Sequence, residues 1–146
     1  MAMNLPRRRW LTLLLAALLA GCENAAAPFM VDGSQHAISL IREQRYFWRS
    51  EVEQSVVVSR LPACQRRYPI AAGSTDSVNI EVYEAGHLLW ALRQQQHWYL
   101  AGTEKCLLQE WQDPPAEPPG REVGRFLRRD GELVFAPAGG ASGSIR

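Results

Sequence analysis

The chain has 146 residues, 16 of them basic and 15 acidic, a length that suits one small domain with short tails. Three of the basic residues, Arg7 to Arg9, stand near the N-terminus. Beyond them 13 basic residues face 15 acidic ones, a net charge of about −2. We therefore expect no nucleic-acid partner, since such proteins carry a basic field.

An apolar run from Trp10 to Ala20 follows those arginines and contains no charge and no proline. A helix needs about 20 apolar residues to cross ~30 Å of hydrocarbon, so this run of about 11 is too short to span a bilayer. A basic cluster before a short apolar run at the N-terminus is typical of an export signal that is later removed. The alternative is a short core helix.

The residues Leu19-Ala20-Gly21-Cys22 end the apolar run, and this Leu-small-small-Cys pattern resembles the lipobox of bacterial lipoprotein precursors. The resemblance covers only the leader. It implies that residues 1–21 are a cleaved signal peptide, and that Cys22 becomes the first mature residue, bearing diacylglycerol on sulfur and a fatty acid such as palmitate on its amino group. Two or three acyl chains anchor a protein stably. The alternative is an ordinary secretory signal with a chance cysteine.

Glu23 follows that cysteine. In the Gram-negative sorting rule of the same class, aspartate at this position retains a lipoprotein in the inner membrane. Glutamate therefore implies the outer membrane, with the protein facing the periplasm. Residues 22–34 are mostly small, include one proline and an Asp-Gly turn signal, and show no hydrophobic period, so we predict a tether between lipid and domain.

Residues 35–111 predict an all-β domain, expected to be a small antiparallel sandwich or a partly open barrel. Apolar residues alternate in five segments, many of them β-branched or aromatic, and no segment beyond the leader has a helical period. Residues 61–77, rich in turn formers, are predicted to be a long loop. The residues predicted to share the inward faces are Ile38 and Leu40; Val52, Val56 and Val58; Val78, Ile80 and Val82; Leu88, Trp90 and Leu92; and Trp98 and Leu100.

Two cysteines remain once Cys22 is assigned to the lipid: Cys64, at the start of the predicted loop, and Cys106, after the fifth strand. In an oxidising compartment an isolated pair usually forms a disulfide. Closing a loop of this length contributes roughly 4 kcal/mol on the chain-entropy estimate. Neither cysteine has His or Cys at short spacing, so a structural bridge is favoured over a catalytic thiol or metal ligand.

The C-terminal part divides into three segments. Residues 112–121 contain four prolines and predict an extended spacer, with a docking motif at 115–118 as the alternative. Residues 122–136 alternate around Asp130-Gly131, a strong turn signal, and predict a β-hairpin that must pack on the main sheet or on a partner. Residues 137–146 predict a disordered tail.

The sequence offers no convincing catalytic or metal-binding motif. His-x-His, His-Glu-x-x-His, Cys-x-x-Cys and Ser-x-x-Lys patterns are missing, and no usable Gly-x-Ser-x-Gly pattern occurs, since residues 139–143 in the tail give only Gly-Gly-Ala-Ser-Gly. His36, His87 and His97 are predicted to be polar strand-edge residues, and carboxylate pairs such as Glu51 with Glu53 to be solvated. We therefore predict no catalytic residue, no metal and no cofactor.

The strongest functional candidate is the run Tyr46-Phe47-Trp48, flanked by Arg45 and Arg49. Three consecutive aromatic residues of a strand cannot all face the same core, so at least one is expected to be exposed or to cover a sheet edge. Aromatic residues beside arginine are enriched at binding hot spots. The alternative is that Phe47 packs inward while Tyr46 and Trp48 cover the loop or the end of the sheet.

These patterns predict a lipid-anchored, non-catalytic module of the outer membrane that binds an envelope protein. Confinement to a membrane raises effective concentration, so a weak binding site suffices. One alternative is an inhibitor of an envelope enzyme, similar only in plan to small lipid-anchored β domains that block lysozyme. The other is a hydrolase or metal-dependent enzyme built from the three histidines and nearby acids. Histidines converging in a concave pocket would favour the enzyme, and an exposed aromatic patch the binding module.

Overall fold

A computed structural model describes residues 23–139, which form ten β-strands in two antiparallel sheets. The strands are β1 (Asn24–Asp32), β2 (His36–Glu43), β3 (Glu51–Arg60), β4 (Cys64–Ser74), β5 (Asn79–Gly86), β6 (Leu89–Gln94), β7 (His97–Gly102), β8 (Leu107–Glu110), β9 (Glu122–Arg129) and β10 (Glu132–Pro137). Their order is β1-β2-β3-β4 in the first sheet and β10-β9-β5-β6-β7-β8 in the second. The all-β prediction is confirmed, as two sheets without a closed barrel among these residues. The same residues include no helix long and apolar enough to cross a membrane.

The core lies between the two sheets and is built from the strand faces that alternate toward it. Most of the residues predicted to point inward are confirmed there, and Phe126 of β9 joins them fully buried. The predicted residues that the core contains are Ile38, Leu40, Val56, Val58, Val78, Ile80, Val82, Trp90 and Leu92.

The prediction that Trp98 and Leu100 face this core is wrong. Tyr99 and Ala101 supply the inward face of β7, and Trp98 instead joins a second apolar cluster with Tyr83. The ring centroids of Trp98 and Tyr83 are 5.7 Å apart. Alternation assigns residues to two faces, but it does not say which face the opposite sheet covers.

The proline-rich segment 112–121 connects β8 to β9, which β5, β6 and β7 separate in the second sheet. Strand pairing continues into both of its ends: the backbone N–H of Trp111 donates to the backbone oxygen of Trp98 at 2.7 Å, and the backbone N–H of Glu84 donates to the backbone oxygen of Arg121 at 2.9 Å. Between these two bonds most of the segment is exposed, and Pro114 and Pro119 are half-buried.

The predicted C-terminal hairpin is present and belongs to the second sheet. β9 and β10 pair on either side of Asp130 and Gly131, which both have positive φ angles. β9 also pairs with β5 along most of its length. A hairpin that is marginal alone is thus stabilised as the edge of a six-stranded sheet.

Most of the predicted tether is instead the edge strand β1, which pairs with β2. Consecutive alanines on both faces conceal its period, and Pro28 suggested a flexible segment. An edge strand accepts proline because one of its two rows of backbone groups has no strand partner. Phe29 stacks on Phe135 of β10 with ring centroids 4.5 Å apart, which joins the two sheets along one side.

The predicted loop 61–77 is wrong over most of its length, because residues 64–74 form β4. This strand is the other edge of the first sheet and pairs with β3. Pro69 and Gly73 lie in it and produced the loop prediction. An edge position again tolerates both residue types.

The predicted disulfide is confirmed. Cys64 and Cys106 are bonded, and their Cα atoms are 5.9 Å apart. The bond joins the start of β4 in the first sheet to the connection between β7 and β8 in the second. We call this end of the sandwich the disulfide end. The opposite end, where β1 begins, is called the Glu23 end.

Candidate functional site

Residues 44–50, which connect β2 to β3 at the Glu23 end, are called the aromatic loop. The two strands pair directly as far as Glu43 and Glu53, so the loop extends beyond the sheet. Tyr46, Phe47 and Trp48 are 42%, 64% and 67% exposed. The alternative in which Phe47 packs into the core is therefore wrong.

The three aromatic rings pack on one another. The Trp48 ring centroid is 5.0 Å from that of Tyr46 and 5.0 Å from that of Phe47, the latter in an edge-to-face arrangement. The Arg49 guanidinium lies over the Tyr46 ring at 5.6 Å. The backbone N–H of Arg49 donates to the backbone oxygen of Tyr46 at 3.0 Å. Such contacts add to apolar burial, so the loop presents a preformed aromatic surface.

The charges around the aromatic loop are balanced and exposed. Arg45 pairs with Glu53 at 3.1 Å, and a shallow depression of about 210 Å³ lies between Arg45, Tyr46, Arg49, Glu51 and Glu53. An ion pair this exposed contributes little free energy. Arg45 is therefore able to exchange its carboxylate for another anion at small cost.

The first described residue, Glu23, is bonded to the base of the aromatic loop. The backbone N–H of Gln44 donates to the backbone oxygen of Glu23 at 2.7 Å. The backbone N–H of Glu23 donates to Oε1 of the Gln44 side chain at 3.0 Å. The Gln44 side chain also donates to the oxygen of Arg49. Cys22, the predicted lipid attachment point, lies outside the described residues and precedes Glu23 by one peptide bond.

Arg42 holds the Glu23 side chain between the sheets although it is itself only 1% exposed. Its Nε donates to Oε1 of Glu23 at 2.8 Å. Its Nη1 donates to Oε1 of Gln54 at 2.7 Å, and its Nη2 donates to the backbone oxygen of Ser74. Arg128 forms a second ion pair with Glu23. No sequence motif indicated this network, although Arg42 follows Ile38 and Leu40 on the inward face of the same strand.

A polar cavity of about 430 Å³ opens beside Arg42. Gln54, Gln94, Arg93 and Glu81 are among its lining residues. The Gln94 amide nitrogen donates to the Ala71 oxygen at 3.0 Å, while its Oε1 has no protein partner among the described residues. The lining supplies amides, arginines and one carboxylate, groups that bind polar molecules.

The three histidines do not converge. His36 lies at the disulfide end, where its Nε2 is 2.7 Å from Oγ1 of Thr103, and His87 is in a turn at that end. His97 begins β7 at the other end, and its Nδ1 is 3.1 Å from Oε1 of Glu110. Burial lowers the pKa of His36, Arg60 lowers it further, and Asp32 partly opposes them. Within residues 23–139 no three His, Cys, Asp or Glu side chains are grouped to hold a metal.

A polar and aromatic ladder covers part of the outer face of the second sheet. The Tyr83 hydroxyl donates to Oε2 of Glu81 at 2.7 Å, and the Arg93 guanidinium lies over the Trp98 ring at 5.5 Å. Burial raises the pKa of Tyr83, and the hydrogen bond to Glu81 raises it further. Tyr83 therefore stays protonated at neutral pH and contributes a packed ring rather than a phenolate.

The aromatic loop is thus the place where exposed apolar area, flanking arginines and the start of the described chain meet. No protein-family model, curated protein or solved structure gives a significant match to the chain. Its function is therefore inferred from its own residues and their geometry.

Proposed function

We propose that this protein is an exported lipoprotein, anchored in the outer membrane by acylated Cys22 and facing the periplasm, and that it acts by binding through the aromatic loop rather than by catalysis. The observation that carries the proposal is the exposure of Tyr46, Phe47 and Trp48 beside the start of the described chain. The lipobox pattern supports the anchor.

Exposed aromatic area supports binding because the three rings have no part in the core. The two core clusters are built from other side chains, so the loop is not needed to fill space between the sheets. Tyrosine, tryptophan and arginine together make up the residue types that dominate binding energy at interfaces. Their mutual packing lowers the entropy lost when a partner binds.

Catalysis is the less favoured reading because acid–base chemistry needs a proton-transfer group within reach of a bound substrate. The polar cavity is lined by amides, arginines and Glu81, whereas His36 and His97 lie at opposite ends of the sandwich. The disulfide engages Cys64 and Cys106, so neither sulfur is a free nucleophile.

The anchor is tested by mass spectrometry of the N-terminal peptide of protein purified from the membranes of a Gram-negative host. We expect a peptide that begins at Cys22 and carries fatty acids, and we expect Cys22→Ser to abolish the acylation. A mature protein that retains residues 1–21, or that carries no fatty acid, would overturn the proposal.

The binding surface is tested with photo-crosslinking groups placed at Trp48 and, as a control, at exposed Glu104 near the disulfide end. We expect adducts in intact cells that depend on the group at position 48. An envelope enzyme in those adducts would identify the protein as an inhibitor. Equal labelling from both positions, or none, would contradict the assignment of the aromatic loop.

A further inference from the structure

The start of the described chain restricts where an anchor is able to hold the domain. Glu23 is bonded through its backbone to Gln44 and through its carboxylate to Arg42, so its position relative to the sheets is set. Consecutive Cα atoms are about 3.8 Å apart, so a lipid on Cys22 attaches directly at the Glu23 end. No spacer separates that attachment point from the folded domain.

The aromatic loop leaves the sheet at the same place. Gln44, whose backbone and side chain bind Glu23, is the first residue of the loop, and its side chain also reaches Arg49 near the other end of it. A bilayer that holds the acyl chains therefore lies next to Tyr46, Phe47 and Trp48. The disulfide end is at the opposite pole of the sandwich.

The composition of the loop matches the chemistry of a membrane surface. Tryptophan and tyrosine are enriched at the level of the headgroups, where a ring contacts acyl chains while its polar atom stays hydrated. Arginine extends an apolar stem and places its charge among phosphates. Arg49 is already folded over the Tyr46 ring, and Arg45 has only an exposed carboxylate partner.

We propose that the partner of the aromatic loop is the phospholipid bilayer that holds the anchor: Tyr46, Phe47 and Trp48 insert at its interface and Arg45 and Arg49 contact its phosphates. This inference rests on the proposed lipid anchor. Insertion at a second point beside the acyl chains orients the domain, with the disulfide end projecting into the periplasm. A protein partner on the same loop would have to displace the membrane.

The charges near the loop predict which lipids it needs. Arg45 and Arg49 are opposed by the exposed carboxylates of Glu51 and Glu53, so the surface has no net positive charge. Attraction to anionic headgroups depends on basic residues whose charge no nearby carboxylate compensates. Aromatic insertion is therefore the main contribution, and vesicles without anionic lipid are expected to support it.

The experiment uses the acylated protein, purified in detergent and reconstituted into phosphatidylethanolamine and phosphatidylcholine vesicles, with or without phosphatidylcholine brominated on its acyl chains. Bromine quenches tryptophan emission only at short range. We expect the wild-type protein to lose a clear fraction of its emission in brominated vesicles and Trp48→Phe to lose less than half as much. Trp90→Phe is the matched control, because the Trp90 ring lies 6.2 Å from the His36 ring at the disulfide end, and this variant should be quenched like the wild type.

Equal quenching of the wild-type protein and Trp48→Phe would overturn loop insertion, and an acylated N-terminal peptide from the same sample would show that the anchor stands. That result would leave the loop free for a protein partner. An unacylated N-terminal peptide would overturn both the anchor and the inference. Insertion that requires phosphatidylglycerol would contradict the aromatic mechanism, since it would make charge the main contribution.

Discussion

The Glu23 carboxylate accepts a hydrogen bond from Nε of Arg42 at 2.8 Å, in a place where the arginine is 1% exposed and the carboxylate side chain 10%. Glu23 is the first described residue and Arg42 lies near the end of β2, so the ion pair holds Glu23 against the sandwich. Because charges are costly to bury, each partner depends on the other.

We predict that Glu23→Ala lowers the free energy of unfolding by about 3 kcal/mol, because it leaves the buried Arg42 charge without its closest carboxylate. The measurement is urea denaturation followed by tryptophan emission. Glu53→Ala is the matched control: it removes an exposed partner of Arg45 and should cost less than about 1 kcal/mol. Similar losses for the two variants would show that Glu23 is no more than a surface residue.

Removal of the disulfide is expected to destabilise the protein by about 4 kcal/mol, the chain-entropy value for a loop of this length. The change is the double substitution Cys64→Ser with Cys106→Ser, which leaves the two sheets without their covalent link at the disulfide end. Denaturation with and without dithiothreitol checks it: reduced wild-type protein should unfold like the double variant. An unchanged midpoint on reduction would contradict the prediction.

Gly120→Ala is predicted to detach the proline-rich segment. A Cβ atom at this position would lie 1.9 Å from the backbone oxygen of Glu84, so the segment has to move away from β5. Overpacking of this kind typically costs about 1–3 kcal/mol. The variant should unfold at lower urea concentration and be cleaved by protease within residues 112–121.

Gly86→Ala is the matched control for that substitution, because its Cβ would meet the Leu89 side chain at 3.7 Å, an ordinary contact distance. We expect a change in unfolding free energy within about 0.5 kcal/mol. If Gly120→Ala is equally harmless, Gly120 does not lie against the backbone of Glu84 as described.

Acidification is expected to destabilise the protein partly through His36. Because the folded state lowers the pKa of His36, the unfolded chain takes up the proton first as the pH falls through the ordinary value of about 6.5. The contribution of neutral His36 to the free energy of unfolding is therefore fully present above that pH and is lost as the pH falls below it. Thermal unfolding between pH 7.5 and 5.5 should show a smaller drop in Tm for His36→Gln than for wild type. His87→Gln, in an exposed turn, should keep the full drop.

The aromatic loop and the disulfide were accessible to sequence reasoning for definite reasons. Three consecutive aromatic residues in a strand cannot all face one core, so the sequence predicts that at least one is exposed or covers a sheet edge. The structure exposes all three, because residues 44–50 form a loop rather than a strand. Once Cys22 is assigned to the lipid, Cys64 and Cys106 are the two remaining cysteines, which leaves one possible pair. Asp130-Gly131 specifies its hairpin because both residues accept the positive φ angles of the turn.

The sequence by itself determined the β fold and the inward faces of β2, β3, β5 and β6, because side-chain alternation is a covalent property of an extended chain. Only the tertiary structure decided that most of the predicted tether is the edge strand β1 and that Arg42 binds Glu23. Pairing of β1 with β2 places Glu23 beside Gln44, 21 positions apart, and so brings the start of the described chain to the aromatic loop. Which strands pair depends on the packing of the whole chain, and no local pattern carries that information.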